Sequence, residues 1–274
     1  MGATEADISL FAVEGDRYLP SEHTRGPWDP GALHGGAAAA LLTRCFEDNV
    51  ESAGLTFGRL GFEFLRPIPM APLEVATELV RPGRRVQELQ ATLTSEGELI
   101  GRGGALLVRA VEDGIPQAAR DLPPMAPPES GRVASPEDAA DAGPESGLAA
   151  GSTGFGSTGM EIRWLDRPWV PGPARVWMRP RMDLLPGEPM SPVALAAAAA
   201  DFGNGVGAEL SFDRFLFINA DLTLHLERVP EGDWIGLDAR TLISVGGPAL
   251  AESVLHTEAG PIGRAFQTLV VQPR

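Results

Sequence analysis

Alternating and continuous apolar patterns follow one another in this chain, and the same succession occurs twice. Polar and apolar residues alternate over residues 61–69 and again over residues 222–230, and both runs end on a proline. A period of two predicts half-buried β-strands. Two more strands follow in each half, at 73–80 and 88–95 and at 234–241 and 251–257, before a Gly-Arg pair at 101–102 and at 263–264. The offset is 161 residues at the prolines and 162 at the Gly-Arg pairs, which predicts two similar copies.

A short helix is predicted ahead of the strands in each copy. Residues 37–46 are rich in alanine and leucine, and residues 193–202 include five consecutive alanines. Ser191 suits the N-cap of the second helix, and Pro192 suits its first position. Both helices are apolar on every side, so we expect them to be buried against a curved antiparallel sheet. Further strands are predicted at 161–165, 175–179 and within 215–227.

The length of 274 residues suits two domains that each bury a core. Residues 1–111 and 160–274 are predicted as these domains. Residues 112–159 are rich in Pro, Ala, Gly, Ser and acidic residues with few large hydrophobic ones, which is typical of a linker.

Charge and composition exclude several kinds of function. The net charge of −15 argues against a nucleic-acid partner, and the lack of lysine excludes Schiff-base chemistry. The single Cys45 lies in a predicted helix and fits a buried side chain in a reducing cytoplasm. No run of 18 apolar residues predicts a membrane span, and the acidic N-terminus is unlike a signal peptide. The four histidines have no metal-ligand spacing, so no metal site is expected.

Four segments in this order carry a resemblance to a known family. They are the Leu-His-Gly-Gly segment at 33–36, the Ala-Ala-Asp segment at 199–201, the strand at 218–225 and the closing Ala-Phe-Gln strand at 265–267. Together they resemble the acyl-CoA thioesterase II family. The resemblance implies an α+β fold, the double hotdog: two tandem copies of a long antiparallel sheet, each wrapped around a central helix. It also implies hydrolysis of acyl-CoA without a cofactor, and a homo-oligomer.

The resemblance also implies the reacting groups. In the family a water is held by an aspartate late in the second helix, by a hydroxyl or amide on the next strand, and by a glutamine on a later strand. The matching positions are Asp201, Asn219 and Gln267. The middle position is commonly threonine, so Thr223 on the same predicted strand stays an alternative to Asn219. Asp221 is a less favoured alternative acid, and residues 219, 221 and 225 are expected to share one face of that strand.

The first helix supplies what the second lacks. Gly35 and Gly36 lie at its start, where unpaired backbone N–H groups could stabilise an oxyanion and His34 could orient the loop. No acid stands late in this helix, and the counterparts of Asn219 and Gln267 fall near residues 58 and 105, which are Gly and Ala. The sequence therefore predicts one composite site, with the mirror-image site inactive.

Coenzyme A carries several negative charges, so an acidic protein needs local arginines to bind it. Arg59, Arg66, Arg84 and Arg85 are the candidates in the first copy. Two other functions stay open: a non-catalytic acyl-thioester binding protein, and an enoyl-CoA hydratase of hotdog type. The hydratase is disfavoured because no histidine follows Asp201 at the spacing of that family.

Overall fold

The computed structural model describes residues 8–50, 54–110, 122–135, 138 and 153–274. Strands from both halves join there into one antiparallel sheet, in the order β1-β2-β4-β5-β6-β3-β10-β13-β12-β11-β8-β7, with β9 also paired to β13. The strands of the first half are β1 (Phe11–Glu14), β2 (Arg17–Pro20), β3 (Leu55–Phe64), β4 (Leu73–Arg81), β5 (Val86–Ser95) and β6 (Glu98–Arg109). Those of the second half are β7 (Met160–Trp164), β8 (Ala174–Pro180), β9 (Phe215–Asn219), β10 (Asp221–Leu226), β11 (Ile235–Leu242), β12 (Ala249–Thr257) and β13 (Gly260–Pro273).

The two copies meet where β3 pairs with β10. In that register Gly61 lies opposite Thr223, and Phe62 lies opposite Leu222. Adding 161 turns 61 into 222 and 62 into 223, so the repeat offset exchanges the two pairs. The copies predicted from the sequence repeat are therefore related by a local two-fold axis through this junction.

Among the described residues, three α-helices lie on the inner face of the sheet: α1 (Gly35–Glu47), α2 (Pro192–Ala200) and the short α3 (Gly203–Val206). The expected N-cap of α2 is confirmed, because Ser191 Oγ accepts a hydrogen bond from Ala194 N at 3.0 Å. Helix α2 ends two residues earlier than predicted, since Asp201 is its C-cap and the chain turns into α3.

Helices α1 and α2 pack against each other as well as against the sheet. Gly36, near the start of α1, lies so close to Ala198 that an added Cβ would sit 2.5 Å from the Ala198 carbonyl oxygen. At the other end of the pair, Ser191 Oγ donates to Glu47 Oε1 at 2.6 Å, so the helices run antiparallel. The alanines 196–200 are all at most 1 % exposed. Their small size is required by the neighbouring helix, a contact that the sequence did not predict.

The predicted strand over 215–227 is broken at Ala220. The buried residue Phe217 belongs to β9, whereas Leu222 and Leu224 are the buried residues of β10, so the inward positions change from odd to even numbers. Asn219 therefore points inward while the odd-numbered residues of β10 point outward. The expectation that residues 219, 221 and 225 share a face is wrong, because the irregularity at Ala220 shifts the alternation by one residue.

Part of the predicted linker lies against the second copy. Trp177 Nε1 donates to the Ala126 carbonyl oxygen at 2.7 Å, and Pro128 is buried. Further along, Phe155 is fully buried and its N–H donates to the Arg25 carbonyl oxygen of the first copy. Residues 111–121, 136–137 and 139–152 lie outside the described residues, and the domain bounds stay a prediction. Within the part of the chain described here, no helix has the length and apolar character needed to cross a membrane.

Candidate active site

Asp201, a residue of the second copy, lies against the start of the helix from the first copy. It caps the C-terminus of α2 and is 4 % exposed. A carboxylate is electrostatically unfavourable at this negative end of a helix, but the positive N-terminus of α1 lies directly beside it. An added Cβ on Gly35 would be 2.8 Å from Asp201 Oδ2 and 3.1 Å from Oδ1. The glycine of one copy therefore makes room for the acid of the other.

Two side-chain amides bind one oxygen of this carboxylate. Asn219 Nδ2 donates to Asp201 Oδ1 at 2.5 Å, and Gln267 Nε2 lies 3.3 Å from the same oxygen. Gln267 Nε2 also donates to the Asp201 backbone oxygen at 3.0 Å. Gln267 is 1 % exposed and lies between the buried Ala265 and Leu269 of β13, so its side chain points inward. Oδ1 is thus fully engaged, and Oδ2 faces the start of α1.

Helix α3 fixes the orientation of the glutamine. The backbone N–H of Asn204 donates to Gln267 Oε1 at 2.9 Å. A Cβ on Gly203 would lie 2.9 Å from that oxygen and 2.7 Å from Ser253 Oγ, so only glycine fits here. Sequence reasoning missed these contacts because a backbone donor leaves no residue signature. The glycine that follows Asp201-Phe202 was the available signal.

His34 contacts site residues from both copies of the repeat. Its Nδ1 accepts a hydrogen bond from Gly36 N at 3.0 Å as the N-cap of α1, and the same nitrogen lies 2.9 Å from Asp201 Oδ2. The ring stacks on Phe202 and packs against Phe155, with centroid separations of 4.3 and 5.3 Å. Because the Gly36 N–H already donates its hydrogen bond to His34 Nδ1, the geometry does not support the oxyanion-donor role predicted for Gly36. Gly35 N–H remains a first-turn donor.

The structure does not bring Thr223 to Asp201. Thr223 points to the outer face of the sheet, where it lines an open groove of about 750 Å³ with Arg59 and Glu63. Asp221, the alternative acid, lines the same groove, and its Oδ1 accepts a hydrogen bond from Thr268 N at 2.7 Å. The shift at Ala220 accounts for both positions. Asn219 is the residue of this segment that reaches the buried carboxylate.

The four candidate arginines do not form one patch. Arg84 and Arg85 lie in the turn beside the start of β3, where their carbonyl oxygens accept hydrogen bonds from Arg109. Arg66 follows the end of β3, about 30 Å away along a ten-residue strand. Arg59 lies on the outer face, 3.9 Å from Glu88. Arg66 follows Phe64 at the end of β3, and the Phe64 ring lies beside Gly35 and Asp201. Arg66 is therefore the candidate nearest the site along β3. It pairs with Glu98 at 3.4 Å.

The mirror-image position lacks the polar groups. The register of β3 shifts around residue 58, as the second copy does at 220, so the counterpart of Asn219 is Phe57 and not residue 58. The counterpart of Gln267 is the fully buried Ala105. Thr43, late in α1, donates its hydroxyl to the Ala39 carbonyl oxygen. Cys45 nearby is buried, and burial raises the pKa of its thiol, which disfavours a reactive thiolate.

A buried carboxylate with Oδ1 held by two amides, and with Oδ2 beside His34 and a helix N-terminus, can deprotonate a water next to a polarised carbonyl. No group of three or more His, Cys, Asp or Glu side chains arranged to hold a metal ion occurs among the described residues. Two copies of a helix packed on an antiparallel sheet, with a single polar site between them, define a double hotdog protein.

Comparison with known proteins agrees with this class. Residues 24–118 match the model of the acyl-CoA thioesterase N-terminal domain, and residues 128–271 match that of the C-terminal domain. The chain therefore belongs to the acyl-CoA thioesterase family, and the predicted enzyme class, a thioester hydrolase, is confirmed.

Solved structures share the fold over nearly the whole chain. The acyl-CoA thioesterase II TesB2 of Mycobacterium marinum is 20% identical, with 98% of this chain and 96% of that one covered and a TM-score of 0.65. The tesB protein of Mycobacterium avium subspecies paratuberculosis is 17% identical, with 96% and 94% covered and a TM-score of 0.62. A hot dog fold protein of unknown function from Alicyclobacillus acidocaldarius is 18% identical, with 99% of both chains covered and a TM-score of 0.69. No curated protein sequence matches the chain.

Proposed function

We propose that this protein hydrolyses acyl-CoA thioesters with a water molecule that Asp201 deprotonates. One observation carries the proposal: the buried Asp201 carboxylate has Oδ1 held by two amides, while Oδ2 faces the N-terminus of the helix from the other copy. A carboxylate held in this way has one oxygen oriented for proton transfer. The membership of the chain in the acyl-CoA thioesterase family supports the choice of substrate.

The proposed reaction has two steps. The water oxygen attacks the thioester carbonyl carbon while its proton passes to Asp201 Oδ2, and the carbonyl oxygen becomes an oxyanion. The carbon–sulfur bond then breaks, releasing the carboxylic acid and the thiolate of coenzyme A, and Asp201 returns to its ionised form by giving the proton to that thiolate. A thiol of pKa near 8.5 leaves readily as its anion, so this step needs little help from an acid.

The neighbouring groups have distinct roles in this proposal. Asn219 and Gln267 keep the carboxylate from rotating through their hydrogen bonds to Oδ1. The N–H of Gly35 and the positive end of α1 stabilise the oxyanion. Arg66 is the candidate for a coenzyme A phosphate, because it lies at the same end of β3 as the site. A cytoplasmic location and a homo-oligomer stay predictions from the sequence.

Release of free thiol from a panel of acyl-CoA thioesters tests the proposal. Asp201→Asn keeps the size of the side chain but removes the base, and Asp221→Asn is the matched control on the outer face. We expect turnover to fall at least about 100-fold in the first variant, a typical contribution of a general base, and to stay near the parent value in the second. A parent protein that binds acyl-CoA but releases no thiol would favour the non-catalytic binding function instead.

A further inference from the structure

We propose that the open groove on the outer face of the sheet binds a second copy of this chain, which inserts Phe266 into it. The groove encloses about 750 Å³ and crosses the strands of the first copy, and Gly61 and Gly104 are among its lining residues. Asp201 lies on the inner face with α2, so the inference goes beyond the proposed function and does not depend on it.

Two glycines that face each other on neighbouring strands form the floor of the groove. Gly61 of β3 pairs with Gly104 of β6, and neither has a positive φ. The atom nearest to a Cβ added on Gly104 would be the Leu89 carbonyl oxygen at 4.0 Å, and on Gly61 it would be Thr223 Oγ1 at 3.9 Å. A side chain would therefore fit at both positions, and no contact within the described part of the chain requires glycine there.

Other glycines of these strands do have a reason within the chain. A Cβ on Gly103 would lie 3.1 Å from the Phe46 ring, and one on Gly101 would lie 3.0 Å from the Glu63 carbonyl oxygen. Glycine inside a strand costs stability, and it often marks a place that another surface approaches closely. We infer that Gly61 and Gly104 mark such a place on the outer face.

The second copy carries a phenylalanine where the first copy carries Gly104. Cross-strand partners form a row over the first copy, which consists of Glu78, Gln90, Gly104 and Gly61. The row continues over the second copy with Thr223, Phe266, Glu252 and Arg240. Adding 162, the offset of the Gly-Arg pairs, turns 78, 90, 104 and 61 into 240, 252, 266 and 223. Each position of the row therefore has its counterpart in the other copy.

Phe266 is an aromatic side chain on the outer face. Its neighbours Ala265 and Gln267 point inward and are at most 2 % exposed, so Phe266 points outward. The side chain is only partly buried, and among the described residues it joins none of the hydrophobic clusters of the core. One copy thus presents a projecting ring, and the other presents an open groove at the matching position.

A two-fold axis parallel to the strands, over the β3–β10 junction, brings the ring and the groove together. Two chains placed face to face about this axis bring each residue of the row onto its counterpart, so that Phe266 meets Gly104 of the partner subunit and Arg240 meets Glu78 of the partner subunit. Glu78 has no ion-pair partner among the described residues of its own chain, whereas Arg240 pairs with Glu252 beside it. Shape and charge are therefore both complementary, and the symmetry makes each contact twice.

Sedimentation equilibrium over a range of protein concentrations tests the inference. We expect the parent to form a dimer of twice 28.9 kDa. Phe266→Ala removes the inserted ring and Gly104→Leu fills the groove, so each should raise the dissociation constant of the dimer at least about 30-fold, as expected for a central aromatic anchor. Val13→Ala shortens an exposed apolar side chain on the edge strand β1 and is the matched control, which should dimerise like the parent.

An exchange of charges tests the orientation of the two chains. Glu78→Arg and Arg240→Glu should each weaken the dimer, because each places like charges opposite one another. The double variant should dimerise more tightly than either single variant, since it restores the pair with its charges exchanged.

A parent that stays monomeric would overturn the inference and assign the groove to another occupant. A parental dissociation constant in Gly104→Leu would overturn it as well, and a double charge variant no tighter than the single variants would overturn the proposed axis. Far-UV circular dichroism shows whether each variant folds. If Phe266→Ala does not fold, Gly104→Leu decides alone, because its side chain has room within the single chain.

Discussion

Replacing Gly35 by alanine should damage catalysis while leaving the fold intact. The added Cβ would lie 2.8 Å from Asp201 Oδ2 and 3.0 Å from Phe64 Cζ. The carboxylate would have to move by about 0.6 Å to restore an ordinary contact. Displacements approaching 1 Å at a reacting group cost on the order of 100-fold in rate. We therefore expect kcat for acyl-CoA hydrolysis to fall by about 10- to 100-fold.

The neighbouring glycine provides the matched comparison. A Cβ on Gly36 would meet the Ala198 backbone oxygen at 2.5 Å, and backbone packed between two helices cannot move as a side chain can. Gly36→Ala should therefore lower the melting temperature more than Gly35→Ala, in which the contacts are with side chains and alanine favours the helix. Thermal unfolding and steady-state thiol release are compared for both. Parental kcat in Gly35→Ala, or a melting temperature lowered as far as in Gly36→Ala, would refute this reasoning.

Three further predictions concern single side chains. Asn219→Ala should lower kcat by about 10- to 100-fold, as expected for a lost hydrogen bond to a charged group, whereas Thr223→Val on the outer face should leave kcat unchanged in the same thiol assay. Burial raises the pKa of Glu47 above its ordinary value of 4.5, so ionising Glu47 costs folding stability as the pH rises. The melting temperature of Glu47→Gln should therefore equal that of the parent in acid and exceed it at pH 7. Equal melting temperatures at pH 7 would contradict this. Burial would raise the pKa of Glu161, but hydrogen bonds from Arg179 and Arg163 outweigh it and leave the pKa below its ordinary value. The melting temperature of Glu161→Gln should therefore lie below that of the parent at pH 7 and approach it in acid. A difference in melting temperature that does not change with pH would argue against this.

The two-copy architecture and the composite site could be predicted from the sequence. Period-two alternation and the offsets of 161 and 162 predicted the two copies, and the same offset exchanges the residue pairs across the β3–β10 junction. The acid late in the second helix and the glycines at the start of the first were assigned to one site, and the structure places Asp201 against Gly35. These features are local in sequence, or they repeat, so pattern alone reveals them.

Other features depend on contacts that pattern does not record. The alternation of residues 215–227 continues through Ala220 without any break, so Thr223 and Asn219 could not be assigned to faces until the pairing with β13 was known. The bond from Gly36 N to His34 is a capping contact that competes with the predicted oxyanion role. Arg84 and Arg66 are near in sequence, but strand β4 lies between them and places them at opposite ends of β3.

The composite site follows from the antiparallel packing of α1 and α2. Because the start of α1 lies at the end of α2, the acid of one copy meets the helix N-terminus of the other. The opposite ends meet as well, where Glu47 accepts a hydrogen bond from Ser191. That second meeting point has Phe57 and Ala105 in place of the two amides, so we expect one functional site per chain.

A calorimetric titration of Asp201→Asn with intact acyl-CoA tests this account most directly, because a variant that cannot hydrolyse the thioester can be studied with the real substrate. We predict binding of one equivalent per chain, with no continuing heat of hydrolysis and no free thiol. Hydrolysis at the parental rate would contradict the role of Asp201, and binding of two equivalents per chain would contradict the single composite site.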